Sequence, residues 1–249
     1  MKIVFSRKGF DSASGGGPSP VVAGRPVSLP IPASVASRTT YADLGLGNYA
    51  AAASRGQLCA DDLCHHDPMF LRTGTCLFGQ VGAAQTHLAN QGVGVGDVFL
   101  FFGLFREQDT GEPHHRIFGW MRVARMIHLA DCEPQDLAML IDTAHPHGLG
   151  MHGRNDCVYM GPGSQAASAS ASLRLTVAGG PPSLWQRPSW LKRGNLTYHD
   201  RADRWLSASR LRSVGRGQEF VADIGRRKAP RDWLDSVLAQ MDTSPESGT

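Results

Sequence analysis

The chain has no apolar run long enough to cross a bilayer, so the reading includes no membrane partner. It also has no secretory pattern, because only three apolar residues follow Met1-Lys2 before Ser6-Arg7-Lys8. Cysteine is scarce. The five residues, Cys59, Cys64, Cys76, Cys132 and Cys157, are odd in number and contain no C-x-x-C pair. That excludes a disulfide framework or a zinc ribbon read from spacing, and it fits a reduced, cytoplasmic protein. Charge of one sign is not in excess: the formal net charge is +3, so there is no global polyanion signature. No internal repeat, H-E-x-x-H or His-Cys-Cys pattern is present, and the cofactor stays unknown at this level.

What is present is a sizeable core. With 249 residues and 41% hydrophobic content, residues 1–242 read as one domain and 243–249 as a disordered tail. Ile3-Val4-Phe5 reads as a buried first strand, and Val21–Thr40, with its prolines, as an extended loop. Tyr41–Arg55 has weak helical character, and Gly74–Gln91 carries helical spacing. Val98–Gly103 and Arg116–Ile127 read as two strands of a hairpin around a polar insert, with Phe101 and Phe102 on opposite sides of the first. Further expectations are a short helix at Pro134–Leu140, strands at Asp156–Met160 and Leu173–Val177, and a helix at Asp232–Met241. Gly161–Ser172 reads as mobile and of low complexity. The sum is an α+β fold: a mixed or barrel-like sheet with flanking helices and long Gly/Pro-rich loops.

The chemistry sits in those loops. Ser6-Arg7-Lys8-Gly9-Phe10-Asp11 leads into Gly15-Gly16-Gly17. Ser6, Arg7, Lys8 and Gly16 are candidate phosphate ligands, since cations neutralise an anion and glycine backbone approaches it closely. Asp11 is a candidate base or ribose ligand. No Lys-Ser/Thr follows the glycines, and Pro18 and Pro20 block a helix start, so this is neither a Walker loop nor a dinucleotide fingerprint.

His65 and Asp67 are two apart and share a face of an extended segment, an imidazole–carboxylate pair suited to acid–base work or metal ligation. His145-Pro146-His147 places two imidazoles on one side, suited to a metal or to hydrogen bonding a base or phosphate. Trp185 and Trp190 are candidates for base stacking, with core packing as the alternative. Arg216, Glu219 and Asp223 form a last polar cluster, in which candidate carboxylates and a surface ion pair are both open. The arginines between Pro181 and Gln240, Arg187, Arg193, Arg201 and Arg212 among them, form either a basic face for nucleic acid or a solvated surface.

Taken in order, these motifs resemble the third of the nucleotide-modification-associated domain families of bacteria and phages. Besides the opening motif, the resemblance rests on His65-His66-Asp67-Pro68, Phe78-Gly79-Gln80 with Gln85 and His87, and Gly96-Asp97 with Phe99–Gly103. His145-Pro146-His147 with Asn155 and Tyr159, Trp185, Pro188, Trp190 and Gly217–Val221 complete it. It runs from Lys2 to about Asp223. It implies a link to modified bases and a nucleotide or nucleic-acid partner. The pattern has an acidic residue after His-x-Asp-Pro, where Met69 stands here. The central hairpin is also similar to the strand pair of PUA-like barrels, which hold a base in a pocket.

Two functions are therefore open: a nucleotide- or base-modifying enzyme, with Asp11, His65, Asp67, His145 and His147 as its catalytic set, or a non-catalytic reader of modified DNA or RNA. The enzyme requires the first loop and the histidine loops to meet.

Overall fold

The apolar run Ile3-Val4-Phe5 forms the middle of a strand buried on both faces. This strand, β1 (Lys2–Arg7), is described in a computed structural model that covers residues 1–34, 36–107, 111–150, 152–215 and 219–241. Among these residues the chain continues through β2 (Ser19–Val22), β3 (Arg25–Pro26), α1 (Gly47–Ala53), β4 (Met69–Phe70), β5 (Thr75–Gln80) and α2 (Gly82–Asn90). The hairpin β6 (Val98–Glu107) and β7 (Pro113–Arg122) follows, then β8 (Arg125–His128), α3 (Pro134–Asp142) and β9 (Cys157–Gln165). Short strands β10 (Leu184–Gln186), β11 (Trp205–Leu206) and β12 (Arg210–Arg212) precede β13 (Glu219–Asp223) and α4 (Lys228–Met241).

The main sheet has the order β13-β1-β6-β7-β9-β5-β4, with β2 also on β6, β3 on β2, and β8 on β9. β1 runs parallel to β6 and antiparallel to β13, so the sheet is mixed. It curls into a half-barrel. Gln80 at the end of β5 donates to Glu219 at the start of β13 at 2.8 Å, although β1, β6, β7 and β9 lie between those strands in the hydrogen-bonded order. β10, β12 and β11 form a separate small sheet.

Side-chain alternation divides the core between the two sheet faces. Phe5, Leu100 and Phe102 pack on one face with Leu234, Val237 and Met241 of α4. Val4, Phe99 and Phe101 pack on the other with Leu88 of α2. Phe101 and Phe102 thus enter opposite clusters, both fully buried.

Three local expectations are corrected. Gly74–Gln91 is not one helix, because Cys76-Leu77-Phe78 is a buried run that pairs with β9, and only the segment from Gly82 onward is helical. Gly161–Ser172 is ordered into β9 as far as Gln165. A Cβ on Gly161 would lie 1.9 Å from the Arg122 carbonyl oxygen, so glycine is there for a close backbone approach. Leu173–Val177 is not a strand but follows a 3-10 turn, Ala171–Leu173, with single bridges at Arg174 and Thr176. Arg216, Gly217, Gln218 and the tail lie outside the described residues.

Candidate functional site

β1 ends at Arg7 and β5 at Gln80, and the curl of the sheet brings these ends beside the start of β13. The loops that leave them enclose a cleft of about 570 Å³. That is within the range of small-ligand sites, roughly 300–1,000 Å³. Arg7 comes from the end of β1, Lys8 and Asp11 from the first loop, and His65, Asp67, His147 and His152 from the histidine loops.

Asp67 organises the histidine side. Its Oδ1 accepts the Gly79 N–H at 3.0 Å and lies 3.5 Å from His145 Nε2. Its Oδ2 lies 3.8 Å from His65 Nε2. Burial opposes ionisation of Asp67, but His145, His147 and His65 outweigh it and hold the carboxyl down at about 2. Burial pushes His65 down to about 4, so at neutral pH it is an uncharged imidazole. His147 Nδ1 meets Asp156 Oδ1 at 2.5 Å, and the rings of His65 and His147 lie edge to face at 5.5 Å. Among the described residues neither buried ring nitrogen of His145 has a hydrogen-bond partner. The ligand atoms of His65, Asp67 and His147 all lie within 4.8 Å of one another, as do those of His147, His152 and Asp156. Either group has the residue types of a transition-metal site.

The first loop contributes differently from its sequence reading. Lys8 Nζ pairs with Glu219 Oε1 at 2.9 Å and lies over the Phe78 ring, so its charge is already balanced. Arg7 donates to the carbonyls of Val214 and Gly215, and among the described residues no carboxylate pairs with it. Burial lowers its pKa while Asp11 opposes the shift. Asp11 Oδ1 accepts the N–H groups of Ala13 and Ser14, both at 2.8 Å, an Asx turn that shapes the loop.

Four expected ligands sit elsewhere. Ser6 is fully buried and donates to Glu219, because alternation turns it inward from β1. Gly16 lines a separate depression with Pro18, Tyr49 and Arg106, and its N–H is held by the Asp11 carbonyl. Trp185 and Trp190 are core residues, Trp185 packing on Phe5 and Phe102 and Trp190 on Trp233. The core-packing alternative accounts for both.

Other motif residues are structural. Asn155 bonds both backbone groups of Gly82 at the start of α2, and Gln85 accepts the Tyr159 hydroxyl in the core. Met69 packs with Leu77, Ile127, Leu140 and Val158, so the position read as acidic lies in an apolar cluster and not in the cleft.

Gln80, His152, Asp156 and Glu219 complete the surroundings and were absent from the expected catalytic and phosphate-binding residues. Glu219 Oε1 accepts from Ser6, Lys8 and Gln80, while its buried Oε2 has no hydrogen-bond partner among the described residues. Gln80 and Glu219 stood in quoted motifs, but linear spacing could not join Asp156 to His147 or Gln80 to Glu219.

The model of the nucleotide modification associated domain 3 family matches residues 2–223. The chain belongs to that family. No curated protein and no solved structure matches it. The family match spans β1 to β13, so it takes in both walls of the cleft and all the residues of the histidine cluster. Among the described residues no helix is long and apolar enough to cross a membrane.

Proposed function

We propose that this member of the family is an enzyme that modifies a nucleotide or a nucleic-acid base in the cleft between the first loop and the histidine loops. The observation that carries the reading is convergence: Arg7, Lys8 and Asp11 line the same cleft as His65, Asp67 and His147, more than fifty residues away in sequence. Arg7 supplies net positive charge for a phosphate. Lys8, already paired, fixes the wall of the cleft. The buried Asp67 carboxylate and the uncharged His65 imidazole supply electron-pair donors beside the reacting base. A base within a duplex has to be flipped out to reach such a cleft. A reader without chemistry is the second reading. It is weakened by Trp185 and Trp190, whose stacking faces are taken up by the core.

The test has two readouts. Nucleotides and short DNA and RNA oligomers are first screened for binding, then incubated with the protein and analysed by mass spectrometry for a mass change. The enzyme reading expects a modified product that is lost in His65→Gln, with binding retained. Binding with no mass change under any condition supports the reader. Binding of neither nucleotides nor oligomers overturns both.

A further inference from the structure

We infer that His65, Asp67 and His147 are the protein ligands of a divalent first-row transition-metal ion in the cleft. The inference rests on the reading of this cleft as the reaction site and deepens it. Two imidazoles and one carboxylate suit such an ion, and they leave coordination positions open to water or substrate.

Geometry selects this trio over the overlapping one. In the group of His147, His152 and Asp156, both carboxylate oxygens are engaged: Oδ1 by His147 Nδ1 and Oδ2 by the His152 backbone N–H. Those contacts belong to the outer layer of a metal site. A ligating histidine has its second ring nitrogen held by a carboxylate, a backbone carbonyl or water, which fixes the tautomer and the orientation of the ring. Asp156 does this for His147 and leaves Nε2 as the free donor.

Asp67 has the same division of labour. Oδ1 is taken by the Gly79 N–H, and Oδ2 faces His65 Nε2 at 3.8 Å. Donors around one ion sit roughly 3–3.5 Å apart, so small side-chain rotations close the set.

Gly79 gives the second structural sign. A Cβ there would lie 2.5 Å from His147 Nε2, so β5 leaves the room that this nitrogen occupies. The third is His145, fully buried with neither ring nitrogen hydrogen-bonded among the described residues and Nε2 3.5 Å from Asp67 Oδ1. It is a positioning residue, poised to donate to the carboxylate oxygen that does not bind the ion. Such an ion would act as a Lewis acid toward a substrate oxygen or lower the pKa of a bound water.

The experiment uses the full chain, stripped with chelator and titrated with Co(II) by calorimetry and visible absorption. One Co(II) per chain with a d–d band is expected. His147→Gln and His65→Gln should abolish binding, and Asp156→Asn should weaken it about 10–100-fold. Circular dichroism checks the fold of each variant. If His147→Gln does not fold, Asp156→Asn decides. Failure of the wild type to bind Co(II), Mn(II) or Zn(II) stoichiometrically overturns the inference, as does wild-type affinity in the folded variants. Binding of nucleotides and oligomers is measured in parallel, with and without metal. Metal binding without binding of either ligand class defeats only the functional reading, and binding of either class without metal binding defeats only this inference.

Discussion

Gly79 and His147 occupy what would otherwise be the same space: a Cβ on the glycine would lie 2.2 Å from the imidazole Cδ2. β5 therefore carries glycine where the second histidine loop leans on it, and Gly79 also gives its N–H to Asp67. Gly79→Ala forces the ring or the strand to move. Overpacking of this kind costs about 1–3 kcal/mol. We expect that loss in denaturant unfolding, together with loss of any activity that needs His147. A variant with unchanged stability and activity would show that the ring is free to move.

Glu219 holds the first loop. It is 1% exposed, and one oxygen accepts from Ser6, Lys8 and Gln80. Removing one member of a buried pair costs about 3–5 kcal/mol, because the other charge is left uncompensated. Glu219→Ala should therefore cost that much. Lys8→Met combined with Glu219→Leu should cost clearly less than the two single changes added together. A double-mutant cycle by urea denaturation measures the difference, and simple additivity would mean that the pair is not coupled.

Trp185 separates the two functional readings. Its ring is packed against Phe5, Phe102 and Phe220. Trp185→Ala should destabilise the chain by roughly 3–5 kcal/mol. Nucleotide affinity, measured below the unfolding range, should stay at the wild-type value. A selective loss of binding with full stability would restore the base-stacking role.

His115 should make the fold acid-sensitive. Its Nδ1 accepts the Trp185 indole N–H at 3.0 Å. Burial, reinforced by Arg7 and His114, pushes its pKa down to about 3. In the unfolded chain it titrates near about 6.5. The folded state therefore excludes a proton that the unfolded state takes up. The contribution is fully present above about pH 6.5 and is lost as pH falls toward 3, by up to about 1.4 kcal/mol per unit. Other buried histidines, His199 among them, shift in the same direction. The measurement is therefore comparative: Tm against pH for the wild type and for His115→Asn. The variant's stability should fall less steeply with acid, by close to one proton. Equal slopes would refute the assignment.

The sequence was most legible where a single period or a short spacing decided the structure. Ile3–Phe5, the hairpin around Phe101 and Phe102, and the terminal helix were readable because apolar alternation and helical periodicity survive folding unchanged. So was the pairing of His65 with Asp67, since an extended chain fixes residues two apart. Gly161 misled because the same residue type serves mobile loops and crowded strands. Ser6 and Gly16 read as ligands because sequence shows residue type but not direction, and β1 turns Ser6 inward. Asp156 and Gln80 were out of reach for a further reason: Gln80 meets its partner through the sheet's curl and Asp156 meets His147 across a separation of nine residues in irregular chain, and neither leaves a periodic trace.

Arg7 carries the last prediction. Its two terminal nitrogens fork onto the carbonyls of Val214 and Gly215 at 2.7 and 2.8 Å, and its guanidinium lies 5.7 Å from the ring centres of Phe102 and Phe220. Neither carbonyl removes its charge, whereas Glu219 balances that of Lys8. Arg7 is thus the stronger attractor of an anion among the two cations of this loop. Arg7→Ala should weaken nucleotide binding by about 1.5–3 kcal/mol, the range for a hydrogen bond to a charged group. Lysine keeps the charge but cannot reproduce the planar fork. Arg7→Lys should therefore recover only part of the affinity. Isothermal titration of all three proteins at low and high salt separates the contributions. The charge component shrinks with salt in the wild type and in Arg7→Lys, and is missing from Arg7→Ala. Equal affinity in all three would place the phosphate site elsewhere and remove Arg7 from the site.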